Sequence, residues 1–375
     1  MQKGKRILVI VLINIGSILL VIGLFVVGPI LVIKTYNLIY KDPLDVHRQA
    51  YLLPNYENVQ WANQYFEDQT SLSIGYADFA VWEFDSLETP TINIDDDGHR
   101  YTVIPEGAQD SELWMFGGST MYGTGSDDAH TLPSLLAEKL GVKAVNNGGA
   151  GYIARQSISR LLGEYKTRSE KDDGNRTIIF LDGINDVFSK CRVENVDLVT
   201  ARQGSIRQSL DDSSRNDEVT FKVLLEPAEL LLDRIMLRVK PDPSLSPEDL
   251  LVCDDDASRA EQVARTLVAD WKAAQSIAEG YGDSFVAVLQ PVLYLSDTRA
   301  DHLFSEPSPF DAELTEQYKL VYPLVRSIAR ASGVWFEDLT DVFDRDEYIY
   351  IDPYHVSPNG NEYMARELAA LLSQG

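Results

Sequence analysis

Asp352-Pro353-Tyr354-His355 sets a carboxylate three residues ahead of an imidazole on one short stretch near the C-terminus. That spacing suits a base and the acid that orients it. An imidazole accepts a proton near neutral pH, and a carboxylate fixes its tautomer and stabilises its charged form. A base needs a group to deprotonate, and Phe116-Gly117-Gly118-Ser119-Thr120-Met121 offers a hydroxyl behind two glycines. Such glycines let the chain turn sharply and leave the serine exposed. Alone, the motif is no more than a turn or a helix cap. Two further stretches add hydrogen-bond donors: Asn146-Asn147-Gly148-Gly149-Ala150-Gly151-Tyr152 is a run of small residues, and Asp182-Gly183-Ile184-Asn185-Asp186 carries a side-chain amide. A serine attacking an ester creates a tetrahedral oxyanion, which two or three converging donors stabilise. The Ser119 N–H, the Gly148 N–H and the Asn185 amide are the candidates.

These pieces must be held together by a scaffold, and the chain from Ser111 onward supplies a pattern for one. Short apolar runs alternate with helical periodicity, the signature of a parallel sheet with crossover helices. Strands are predicted at Leu113–Phe116, Val142–Val145, Thr177–Leu181, Ser284–Leu289 and Val334–Phe336. Helices are predicted at Thr131–Leu140, Ile153–Tyr165, Ala257–Tyr281, Asp311–Ala331 and Pro358–Leu372. The expected fold is a three-layer α/β/α, doubly wound, flavodoxin-like parallel sheet of five strands, with ligands gathering at the carboxyl ends of the strands. The stretch Ser189–Asp256 breaks the rhythm and reads as an insertion with its own amphipathic helix around Phe221–Leu237. Thr35 to about residue 110 reads as linker and accessory strands. Asn93–Gly98 opens like a calcium loop, but Ile104 stands where the bidentate Glu belongs, so a hairpin turn at Asp97-Gly98 is the better reading.

Four blocks in this order resemble the SGNH hydrolases, also called GDSL-type esterases and lipases. The first is Phe116-Gly117-Gly118-Ser119-Thr120, with Gly118 where many members have Asp; the second is Asn146, Gly148 and Gly151. The third is Gly183, Asn185 and Asp186, and the fourth is Asp352 and His355, followed by a Pro-Asn-Gly-Asn helix start. The resemblance runs from about Glu112 to Leu372 and implies Ser119 as nucleophile, His355 as base, Asp352 as its orienter, and Ser119, Gly148 and Asn185 as oxyanion hole. It calls for no metal and no cofactor.

Composition narrows the class further. Of 375 residues, 58 are Asp or Glu and 33 Lys or Arg, a net charge of −25 that disfavours a nucleic-acid partner. Ile7–Ile33 carries no charge over 27 positions, enough helix to cross a bilayer of about 30 Å. Its exit, Gly28-Pro29-Ile30-Leu31, lacks the small-residue site at which a signal peptide is cut, so an uncleaved single-pass anchor is expected. Lys3, Lys5 and Arg6 precede it, which puts the N-terminus in the cytoplasm and the catalytic part outside, periplasmic or extracellular. An oxidising exterior would allow Cys191 and Cys253 to pair, although two free thiols fit the sequence equally well. The other histidines, His47, His99, His130 and His302, read as surface residues, with bordering the cleft from the loop after the fourth strand as the alternative for His302.

The expected organisation is thus an anchor over residues 1–34, a linker with accessory strands over 35–110, and a hydrolase domain over 111–375 with its insertion at about 189–256. The expected activity is hydrolysis of an O-acyl ester, acetyl or another short acyl, on a carbohydrate or cell-envelope glycan through an acyl-enzyme. The same acyl-enzyme passed to a sugar hydroxyl would make an O-acyltransferase, and an inactive glycan-binding or assembly module is the alternative from another class. The oligomeric state is not legible.

Overall fold

The computed structural model describes residues 50–167, 176–193, 195, 197–199, 206, 251–303 and 308–373. The apolar segment 7–33 and the amphipathic stretch 221–237 lie outside them, as does His47. No helix among the described residues is long and apolar enough to cross a membrane.

In chain order the helices are α1 (Ala62–Asp68), α2 (Ser119–Tyr122), α3 (Leu132–Leu140), α4 (Ala154–Thr167), α5 (Ile184–Lys190), α6 (Ala257–Gly280), α7 (Pro309–Ser332) and α8 (Pro358–Leu372). The strands are β1 (Ile74–Ala77), β2 (Val81–Phe84), β3 (Leu87–Glu88), β4 (Asn93–Ile94), β5 (Glu112–Gly117), β6 (Lys143–Gly148), β7 (Arg176–Asp182), β8 (Ser284–Leu289) and β9 (Phe336–Asp338). Strands β5 to β9 form one parallel sheet in the order β6-β5-β7-β8-β9. The chain winds to one side of β5 and then crosses to the other, so the carboxyl ends of β5 and β7 border the point where the winding reverses. Open α/β sheets bind ligands at such a point.

Alternation of side chains splits each central strand between two apolar layers. Trp114, Phe116, Ile178, Phe180, Phe285 and Ala287 pack with α4, α6 and α7, while Leu113, Met115, Ile179, Leu181, Val286 and Val288 pack with α3 and α8. Strands buried on both faces read as continuous apolar runs, which is why they were visible in the sequence.

Most element ends lie within two residues of expectation, and two strands depart furthest. Strand β6 runs on to Gly148, because Asn146 and Asn147 are held in parallel register with Met115 and Phe116 despite their weak strand preference. The last strand is displaced to Phe336–Asp338: Gly333 ends α7 in the left-handed conformation, at φ +79°, and the chain runs two residues further before it pairs with β8.

The described part of the segment before the sheet folds against the core. Tyr56, Ala62, Tyr65, Phe66, Phe84, Ile92 and Ile94 share an apolar cluster with Tyr122 of α2. The Asn93–Gly98 stretch makes a tight turn: Asp95 N–H donates to His99 O and Gly98 N–H to Asp95 O. Among the described residues, no group of three or more His, Cys, Asp or Glu is placed to hold a metal ion. Cys191 and Cys253 form a buried disulfide that closes the base of the insertion.

Candidate active site

The first strand of the sheet in chain order, β5, delivers the hydroxyl. Gly117 lies so close to its neighbour that a Cβ there would meet Leu181 O at 2.5 Å. Ser119 then opens α2, a single turn whose first N–H groups have no partner within the helix. Gly118 has a different reason to be glycine, since a Cβ on it would collide with Asn185 Nδ2.

His355 comes from the other end of the chain, on the loop before α8. Ser119 Oγ and His355 Nε2 are 2.6 Å apart, and His355 Nδ1 and Asp352 Oδ2 are 2.6 Å apart. The other Asp352 oxygen accepts the N–H groups of Tyr354 and His355, both at 2.8 Å. The spacing of three residues thus works as a self-closing turn, with one carboxylate holding its own loop and the imidazole together. Desolvation pushes the Asp352 pKa up, but the His355 charge, its hydrogen bond and the two backbone donors outweigh that and hold it below the usual carboxylate range. Burial pushes the His355 pKa down, and the Asp352 charge and hydrogen bond more than reverse it, so the imidazole stands above its ordinary value. Nε2 therefore faces the serine as a strengthened base.

The donors follow the sequence expectation in part. Asn185, on the first turn of α5, borders the same small cavity as Ser119 and His355. Its Nδ2 donates to Tyr152 O at 2.9 Å, which fixes the amide and leaves its second hydrogen. Gly148 does not behave as expected. Its N–H donates to Asn146 Oδ1 at 3.0 Å, and its bare Cα lets α2 sit so close that a Cβ would lie 2.6 Å from Tyr122 Cα. Gly148 is a packing glycine at a strand end. Two residues past Gly149, Gly151 turns at φ +66°, and no described residue accepts its N–H. That turn abuts Asn185 through Tyr152 O.

Several positioning residues were not visible in the sequence. Gln290 Nε2 donates to Thr120 Oγ1 at 2.6 Å, and Thr120 Oγ1 donates to Tyr354 O at 3.2 Å. This chain ties the end of β8 to the nucleophile turn and the histidine loop. The buried Arg100 donates to Tyr122 O, Gly123 O and Ser126 O and pairs with Asp128, pinning the exit from α2. Below Asn185, the buried Lys190 pairs with Asp186, whose other oxygen accepts Ala154 N–H at 3.3 Å. Asp182 is buried beside Asp186; desolvation and that neighbour raise its pKa well above the usual range. Tyr152 is a packing aromatic, buried with its hydroxyl on Trp82 O. His99 is not the surface residue expected, because it is wedged between Asp95 and Glu164 at 3.2 and 2.6 Å.

No family profile matches the sequence, and no curated protein matches it. Among solved structures, a lipolytic protein of the G-D-S-L family from Veillonella parvula is similar over 71% of this chain and 100% of its own, at 11% identity and a TM-score of 0.38. The extracellular lipase of Streptomyces rimosus is similar over 69% of this chain and 99% of its own, at 12% identity and a TM-score of 0.38. A carbohydrate acetylesterase family member from Sinorhizobium meliloti is similar over 70% of this chain and 98% of its own, at 16% identity and a TM-score of 0.35.

Chemically, the arrangement can carry acyl transfer through a serine ester: a hydroxyl on its base, the base on its carboxylate, and an amide alongside. Asn185→Ala is expected to lower p-nitrophenyl acetate turnover by about 10²–10³-fold while Ser119 still forms the acyl-enzyme. Near-normal turnover would remove Asn185 from the oxyanion hole.

Proposed function

We propose that this chain is a membrane-tethered serine esterase of SGNH type that removes a short acyl group, acetyl above all, from a cell-envelope glycan outside the cytoplasm. The observation that carries the reading is the unbroken contact from Ser119 Oγ to His355 Nε2 and from Nδ1 to Asp352, each link 2.6 Å. In the reaction, His355 takes the Ser119 proton as Oγ attacks the ester carbonyl, and Asp352 stabilises the imidazolium. His355 then returns the proton to the leaving alcohol, and water repeats the steps to free the acid. The Ser119 N–H, the Asn185 amide and the Gly151 N–H, in place of Gly148, are the proposed donors to the oxyanion.

Acyl size is inferred from the walls. The cavity over Ser119, about 80 Å³, is lined by Ile184, Phe188 and Tyr354. These walls narrow the space beside the nucleophile, which favours a short acyl group. Phe188 meets the Tyr354 ring edge-on, with centroids 5.7 Å apart. Phe188→Ala is expected to shift the preference among p-nitrophenyl esters from acetate toward butyrate and hexanoate. An unchanged chain-length profile would take Phe188 out of the acyl site.

Three features support the location and the neutral substrate: the apolar stretch 7–33, the Cys191–Cys253 bond, which suits an oxidising space, and the charge distribution. Residues 1–34 carry Lys3, Lys5, Arg6 and Lys34 and no acid, so the rest carries −25 − 4 = −29 and repels anionic polymers. The test uses the full chain in mild detergent. It should hydrolyse p-nitrophenyl acetate and take a fluorophosphonate label at Ser119; a folded sample that does neither is not a serine esterase. With a glycan acceptor present, acyl sugar exceeding free acid would make the enzyme a transferase instead.

A further inference from the structure

We infer that the segment Ala50–Ser71, which precedes the sheet and lies outside all four motif blocks, is a working part of the active site: it clamps the loop that carries Asp352 and His355, with Asn55 as the main positioning residue. The inference rests on the triad reading above. The loop is a narrow reversal of the chain. Ile351 N–H donates to His355 O at 3.0 Å, Ser357 N–H donates to Ile349 O at 2.8 Å, and Asp352 to His355 occupy the tip. Its tip is braced from the sheet side, where Leu293 N–H donates to Pro353 O at 3.3 Å and Thr120 Oγ1 to Tyr354 O at 3.2 Å, while the arm leading to Asp352 needs a neighbour of its own.

Asn55 supplies that neighbour. It is buried, and its Nδ2 donates to Tyr348 O at 2.7 Å and to Tyr350 O at 3.2 Å. One amide thereby bridges two carbonyls two residues apart, as an adjacent strand would, and shares the second with His302 Nε2, 2.8 Å from Tyr350 O. The second arm of the clamp is aromatic. Tyr56 Oη donates to Gly125 O at 2.7 Å, and Gly125 N–H donates to Tyr65 Oη at 2.8 Å, so both backbone polar groups of one residue beyond α2 are held from this segment. Gly125 sits where the parts meet. A Cβ there would lie 2.5 Å from Ile351 Cδ1, 2.9 Å from Tyr56 Oη and 3.1 Å from Val356 O. Ile351 itself packs into the Tyr56–Tyr65–Phe66 cluster, one residue before Asp352.

The clamp thus holds both sides of the reacting pair: the chain leaving the nucleophile turn and the arm leading to Asp352. The 2.6 Å contacts tolerate little drift, because misplacement by about 1 Å costs on the order of 10²-fold in rate.

The test compares wild type, Asn55→Ala and Tyr56→Phe in the full chain in detergent, with active sites counted by fluorophosphonate titration. Asn55→Ala is expected to lower kcat per titrated site by about 10–100-fold with KM within about twofold. The acid limb of kcat/KM should also move to lower pH as the Asp352–His355 pair loosens. Tyr56→Phe, which keeps the ring, should show the same direction to a smaller extent. Titration of the His355 imidazole by ¹³C NMR reads the same coupling without turnover, so an inactive wild type would fail the esterase reading while this measurement still decided the clamp. Should Asn55→Ala not fold, Tyr56→Phe carries both readouts. Unchanged kcat per site and an unchanged His355 titration, whatever happens to the melting temperature, would reduce the segment to packing and overturn the inference.

Discussion

Ser119→Ala is expected to abolish fluorophosphonate labelling and to lower ester turnover by about 10⁶-fold, and His355→Ala to lower it by nearly as much. The reason lies in how the two groups share one step. The Ser119 hydroxyl is a poor nucleophile until His355 Nε2, 2.6 Å away, removes its proton, and each later proton transfer by Nε2 acts on an adduct that Ser119 has formed. The double variant Ser119→Ala/His355→Ala should therefore be no slower than either single one, with residual rate left to the oxyanion donors and substrate binding. Two outcomes would undo the assignment: label surviving in Ser119→Ala, or losses that add in the double variant. The fold should hardly notice, because Ser119 Oγ is bonded only to His355 among the described residues and the turn is kept by backbone bonds from Tyr122, Gly123 and Thr124. Circular dichroism and the melting temperature should stay near wild type.

Much of this site was legible because its chemistry is written in local patterns. Asp352 and His355 are three apart, and a carboxylate at that spacing reaches both the following N–H groups and the imidazole. The strands were legible because burial on both faces leaves runs such as Leu113–Phe116 and Ser284–Leu289. Gly148 misled because a glycine beyond an apolar run reads as rim, whereas pairing with β5 draws Asn146, Asn147 and Gly148 into the strand and commits the glycine N–H to Asn146. Arg100 and Asn55 carried no local signal. Each is polar and buried, and apart from the Arg100 bond to Thr91 O its side-chain partners lie 22 or more residues away. Their roles exist only once the chain segments meet, which periodicity and motif spacing do not encode.

Asp352→Asn separates the parts played by the carboxylate. The amide keeps the shape, and its oxygen can still accept from the Tyr354 and His355 N–H groups. What goes is the negative charge and the acceptor pair that hold the His355 Nδ1 proton; an amide NH₂ turned to Nδ1 would favour the wrong tautomer, with the proton on Nε2. A plateau kcat lower by about 10⁴-fold is expected. The pH profile gives the second readout. In wild type the Asp352 charge and bond raise the His355 pKa against burial, so the base is protonated and idle until the pH exceeds that raised value. Without the charge, burial acts alone and depresses the imidazole. The acid limb of kcat/KM should then move to lower pH even as the plateau collapses. A plateau that falls with the limb in place would mean that Asp352 orients the imidazole without stabilising its charge, and an unmoved plateau would exclude Asp352 from the reaction.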